Sequence, residues 1–123
     1  MPFTTEYDAE RNIVFHRGTG NITVEEIMAQ LHHLFKNYPG KHSIWDLRNA
    51  AVSKMPTAEL LETIPVVKEN AKHREGGKTS WVTTRPSDFG LCRMAEMRSG
   101  PLPYERRVFR TMQEAIDWTQ QAE

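Results

Sequence analysis

Asp46, Arg48 and Asn49 stand close together in I-W-D-L-R-N, and a second polar cluster, Thr84, Arg85, Ser87 and Phe89, follows further along in T-T-R-P-S-D-F. Brought to one place, these groups could bind a small anion. Arg48 or Arg85 would supply the countercharge, and helix N-termini at Thr57 and Ser87 would add N–H donors. The same residues also have a plain structural use: Asp46 and Arg48 can pair, and Thr57 and Ser87 are N-cap types. Asp46 acting with Arg85 or a histidine would be the enzymatic use of the cluster. No G-x-S-x-G, G-x-G-x-x-G or Walker phrase accompanies it, so neither catalysis nor a cofactor is expected.

Five histidines raise the question of a metal. His32 and His33 are adjacent on a predicted helix, so their side chains diverge by about 100°. His16, His42 and His73 belong to separate elements, and no H-x-x-x-H or H-E-x-x-H spacing occurs. Surface histidine is therefore expected, with no metal site. Cys92, the only thiol, lies near Phe89 and Ala95 and reads as a small apolar filler. Trp45, Trp81, Phe89, Met55, Met94 and Met97 are the residues that could line an apolar pocket, although buried aromatics are ordinary in a sheet covered by helices.

For the two polar clusters to meet, their elements must lie side by side. Residues 42–51 form a short apolar run that stops on an acid, which suits a central strand. Residues 3–7 and 13–17 are rich in β-branched and aromatic types and flank a polar connection, as in a hairpin that ends at Gly18 and Gly20. The phrase T-V-E-E at Thr23 is a capping box, with Ile22 and Ile27 as its hydrophobic staple. Val24, Ile27, Leu31, Leu34 and Phe35 then give one apolar helix face.

A second helix is expected after Thr57, buried through Leu60, Ile64 and Val67 and solvated through Lys68, Glu69, Lys72, Arg74 and Glu75. Pro65 should kink or break it. Residues 79–84 read as a strand, 85–88 as a turn into a third helix that carries Phe89 to Met97 and is broken at Gly100-Pro101, and 104–110 as an arginine-rich edge strand. T-M-Q-E at Thr111 caps a closing helix. The order β-β-α-β-α-β-α-β-α predicts an α/β domain spanning 1–123, with a mixed, mostly parallel five-stranded sheet and an N-terminal hairpin. Such sheets hold ligands outside the C-terminal ends of their strands, where the two polar clusters would gather.

Sixteen basic residues balance sixteen acidic ones, which removes the overall field expected of a nucleic-acid or anionic-membrane binder. A lone cysteine fits a reducing compartment, and no run approaches the ~18 apolar residues of a membrane span. A soluble cytoplasmic protein is expected.

Several local phrases, Y-D-A-E-R-N-I-V, N-I-T-V-E-E, I-W-D-L-R, F-G-L-C-R-M and E-R-R-V-F-R-T-M-Q-E-A-I-D-W, make nearly the whole chain resemble the SpoIIAA-like fold. This group comprises STAS domains and small bacterial STAS/SEC14-like proteins. The resemblance implies a non-enzymatic bacterial regulatory or protein-interaction module, with a SEC14-like binder of a small apolar or amphipathic ligand as the alternative. Its better-studied members are phosphorylated on a serine in a D-S-S-G-like loop after the middle strand. Here that loop reads N-A-A-V-S-K-M-P-T-A-E, so Ser53 and Thr57 are the candidate phosphoacceptors, outside an acidic-serine-glycine context. The expected loop residues for a ligand or partner are Asp46, Arg48, Asn49, Arg85, Ser87 and Phe89, and Trp45, Trp81 and Met94 are the expected pocket lining. A homodimer is a further expectation.

Overall fold

A computed structural model of the chain describes residues 3–52 and 55–121. It runs β1 (Phe3–Asp8), β2 (Ile13–Asn21), α1 (Val24–Asn37), β3 (His42–Ala51), α2 (Thr57–Leu61), α3 (Thr63–Glu69), a 3-10 turn (Ala71–Arg74), β4 (Thr79–Val82), α4 (Pro86–Arg98), β5 (Arg106–Phe109) and α5 (Met112–Thr119). The five strands form one sheet in the order β1-β2-β3-β4-β5, with β1 antiparallel to β2 and the remaining pairs parallel. The expected α/β architecture is present. Ser53 lies outside the described residues.

β3 is the middle strand, and its residues 43–47 are buried on both faces, whereas Arg48 and Asn49 are exposed. Period-two alternation sends Ile44 one way and Trp45 and Leu47 the other. Ile44 joins Ile13, Phe15, Val82 and Ala115 beneath α5. Trp45 and Leu47 join Val14, Leu34, Phe35, Leu60 and Cys92 in the larger core, beneath α1 to α4.

The first capping box forms as its residues require. The Thr23 N–H donates to the Glu26 carboxylate at 2.8 Å, and the Glu26 N–H donates to Thr23 Oγ1 at 3.2 Å. At the closing helix only half of the box is made. Thr111 Oγ1 accepts the Glu114 N–H at 3.2 Å, but the Thr111 hydroxyl itself takes the Glu114 carboxylate at 2.8 Å.

The second helix breaks in two. Pro65 has no N–H for the Leu61 carbonyl, and the chain accommodates this by ending α2 at Leu61 and restarting α3 at Thr63, whose hydroxyl donates to the Leu60 carbonyl at 2.8 Å.

Several expectations are corrected. Gly18 and Gly20 do not end β2, which continues to Asn21 through a bulge between Arg17 and Thr19. A Cβ on Gly18 would lie 2.7 Å from Ile22 Cδ1 and 3.1 Å from Phe3 Cε1, so a larger residue there would push these core side chains aside. Thr57 and Ser87 are not N-caps: Pro56 and Arg85 occupy those positions, and neither makes a side-chain cap bond. Arg74 is not solvated but 1% exposed, and His16 is not a surface histidine but 0% exposed. In both cases tertiary contacts override a pattern read from local polarity.

Candidate functional site

Beside the C-terminal end of β4, Asp46 and Arg48 form a two-pronged ion pair, and both lie inside β3, which runs on to Ala51 rather than stopping at the acid and opening into a loop. Arg48 Nε donates to Asp46 Oδ1 at 2.8 Å and Arg48 Nη2 to Oδ2 at 2.9 Å, with the Arg48 backbone N–H adding a third bond to Oδ1 at 3.2 Å. Burial pushes the Asp46 carboxyl up, but the bonds from Arg48, helped by the Arg17 charge, outweigh it and hold the group below its ordinary range. The carboxylate is ionised, but its lowered pKa and its bonds to Arg48 make it a weak base for proton abstraction at neutral pH.

The other expected loop residues do not close a site around this pair. Asn49 is exposed and pairs with Thr19 in the β2–β3 ladder. Arg85 and Ser87 are exposed at the start of α4, and Phe89 is half-buried with the Arg110 guanidinium 4.3 Å from its ring centre. None of Asp46, Arg48, Asn49, Arg85, Ser87 or Phe89 lines the internal cavity described next.

That cavity, of about 100 Å³, lies between the larger face of the sheet and the helices above it. Trp45, Trp81 and Leu47 form its floor, Leu31, Leu34 and Phe35 of α1 one wall, and Ile64 and Val67 of α3 with Cys92 and Ala95 of α4 the rest. Of the expected pocket residues, Trp45 and Trp81 are brought together and Met94 is not. The register of α4 turns Cys92, Ala95 and Glu96 inward and leaves Met94 outside the lining. Met55 belongs to the core, and Met97 is 72% exposed.

The floor changes character over one row of residues. Trp45, Trp81 and Val108 are neighbours in register, and the next row toward the N-terminal ends of the strands is Ser43, Thr79 and Arg106. Arg74 joins this polar end from the 3-10 turn, and Tyr104 from the segment before β5. Arg74 donates through Nη1 to the Tyr38 carbonyl at 3.3 Å, and through Nη2 to the Lys41 carbonyl at 2.6 Å and Thr79 Oγ1 at 3.3 Å. Arg106 donates to the carbonyls of Glu96 at 3.2 Å and Gly100 at 2.6 Å. The Nε of each arginine is buried without a partner.

This end of the cavity was missed by sequence reasoning, because Arg74 reads as part of a solvated helix face and Arg106 as edge-strand charge. Alternation from Thr79 and Trp81 onto a paired β5 carries a signal for Arg106. Nothing local marks Arg74.

Two further side chains back the site. His16 stacks on Trp45 with ring centres 4.4 Å apart, and its Nδ1 lies 2.6 Å from Gln30 Nε2. Since an amide nitrogen can only donate, Nδ1 accepts and the proton sits on Nε2, which has no partner. Burial, then the Arg74 and His33 charges, lower its pKa to about 3, so the ring is neutral. The Cys92 thiol is pushed up to about 12, first by burial and then by Asp88 and Glu96, so it is no nucleophile. Among the described residues no group of three or more His, Cys, Asp or Glu is placed to hold a metal ion.

No protein-family model matches the chain, and no curated protein does. Among solved structures it is similar to an uncharacterized protein of the DUF3478 family with a SpoIIAA-like fold from Shewanella loihica PV-4. The TM-score is 0.63 and the identity 13%, over 95% of this chain and 91% of that one. The fold is therefore SpoIIAA-like, as the resemblance of the sequence implied. At that identity the likeness is one of fold. Among the described residues no helix is long and apolar enough to cross a membrane.

Proposed function

We propose that this protein is a non-enzymatic binding module that holds a small apolar or amphipathic molecule between its sheet and the helices α1, α3 and α4. The observation that carries this reading is the cavity itself: an apolar space of about 100 Å³ floored by two tryptophans and polar at one end. An engineered apolar cavity of about 150 Å³ takes up benzene, so this smaller space takes a short chain or one aromatic ring once the short helices α2 and α3 of its wall give slightly. Native mass spectrometry of freshly purified protein tests it. An adduct that disappears on denaturation is expected. If no adduct appears and small aromatic probes leave the tryptophan fluorescence unchanged, the reading fails.

A regulatory role through a protein partner is the second reading. It is favoured by the exposure of Thr57 at the first residue of α2, in the loop region where relatives carry their switch. A phosphoryl group there would add about two negative charges at an accessible position. Peptide mapping of protein isolated with phosphatases inhibited should find phosphate on Thr57 or Ser53, and unmodified peptides at both positions would argue against it. Sedimentation in the same preparation reads the expected homodimer.

A further inference from the structure

We propose that the occupant of the cavity is a small organic acid, with one aromatic ring or a short aliphatic chain, whose carboxylate is held by Arg74, Arg106 and Tyr104. This rests on the binding reading above and supplies what that reading lacks, the charge of the ligand.

The argument begins with what the two arginines lack. A buried guanidinium is normally matched by a carboxylate, because an uncompensated charge is costly away from water. Arg74 and Arg106 both line the cavity, yet every partner of either is neutral, a carbonyl or the Thr79 hydroxyl. Neither enters any ion pair among the described residues. One acid, Glu96, lines the cavity, and its carboxylate is taken by Arg93 at 3.4 Å.

These neutral bonds have a structural use. Arg106 ties down carbonyls at the C-terminal end of α4, where the helix dipole offsets part of its charge. Arg74 links the end of α1 to the start of β3 and to β4. All of this is done by the Nη groups. The two Nε–H donors remain, buried and unpartnered. Burial lowers Arg74 only to about 10, so it is still charged at neutral pH.

Tyr104 completes the head-group end. Burial raises the phenol, while Arg106 and Arg74 both act on it in the opposite sense, which places it within the field of the two guanidiniums as a neutral donor. It also lines an open groove with Gly76, Lys78, Leu102 and Glu105, so it stands between the cavity and solvent.

Charge and volume then define the ligand together. Charge-assisted bonds from arginine suit a carboxylate. The apolar floor gives a bare inorganic anion nothing to contact, and the volume leaves no room for a long lipid tail. A neutral apolar guest would fill the space but leave the two guanidinium charges without a countercharge.

The test is calorimetric titration of the purified protein, with tryptophan fluorescence read in parallel. The ligands are benzoate and hexanoate, their neutral counterparts benzamide and hexanol, and inorganic phosphate. The acids should bind at least about tenfold more tightly than the neutral compounds, the difference expected of hydrogen bonds to a charged group. Arg106→Gln should bring that ratio close to one, and Arg106→Lys should retain part of it. Tyr104→Phe, which keeps the ring, should weaken the acids several-fold and leave the neutral compounds unchanged.

Equal binding of acids and neutral compounds overturns the inference while leaving the binding reading intact. Binding of neither overturns both. Phosphate displacing benzoate at equal concentration overturns the requirement for an organic body. Should Arg106→Gln fail to fold, the ratio measured on the wild-type protein and on Tyr104→Phe decides the matter.

Discussion

The two ends of the sheet treat charge in opposite ways. Toward the C-terminal ends of the strands, a buried Asp46 and an exposed Arg48 satisfy each other through paired bonds of 2.8 and 2.9 Å. At the N-terminal ends, Arg74 is buried and Arg106 half-buried, and both meet only neutral acceptors. The lesson is that the visible cluster of charged residues is the finished one. The end that still has bonding capacity is the one hidden by its neighbours.

This contrast can be broken by mutation. Arg74→Ala should cost the most, about 3 kcal/mol in urea denaturation, because it empties a buried volume and strips the carbonyls of Tyr38 and Lys41 of their donor. A loss under 1 kcal/mol would show that the buried end is not braced by this residue.

Acid sharpens the contrast next. The folded pKa of His16 is depressed from 6.5 to about 3, so between those values the unfolded chain binds the extra proton. Its contribution is fully present above pH 6.5 and is lost as pH falls, by up to about 1.4 kcal/mol per pH unit. The depressed Asp46 adds to acid lability only below its ordinary 3.8. Thermal melts from pH 7 to 4 should therefore fall steeply in the wild type and more shallowly in His16→Phe. Parallel curves would sink this account.

At the surface end the effects shrink. Asp46→Asn should lose about 1 kcal/mol, the scale of a hydrogen-bonded carboxylate whose partner Arg48 is exposed. Thr57→Ala, at a position that is exposed and is not the N-cap, should change stability by less than about 0.5 kcal/mol. A larger loss would restore Thr57 as a capping residue.

The fold was legible because its signals are local or periodic. The capping box at Thr23, the alternation along β3 and the polar hairpin each need only a few neighbouring residues to be read. The boundaries that moved did so where tertiary packing decides: β2 runs past Gly18 because its bulge is pressed against Phe3 and Ile22. The cavity was half legible. Trp45 and Trp81 belong to recognisable strands, and pairing aligns them. Arg74 comes from a 3-10 turn far along the chain from Tyr38 and Lys41, and His16 is buried by α1 and Trp45. Neither has a sequence signal, because the partners that bury them are distant in the chain.

The broken helix has a consequence in time as well as in shape. Leu60, Thr63, Ile64 and Val67, all from α2 and α3, form part of the cavity wall. These helices have five and seven residues, whereas α1 on the adjoining wall has fourteen and a complete capping box. Helices so short have little stability of their own and hold mainly through their contacts. The amide hydrogens of α2 and α3 should therefore exchange with solvent well before those of α1. The cavity thus has one wall that holds itself and one held mainly by its contacts, so a guest bound there should slow exchange in α2 and α3 more than in α1.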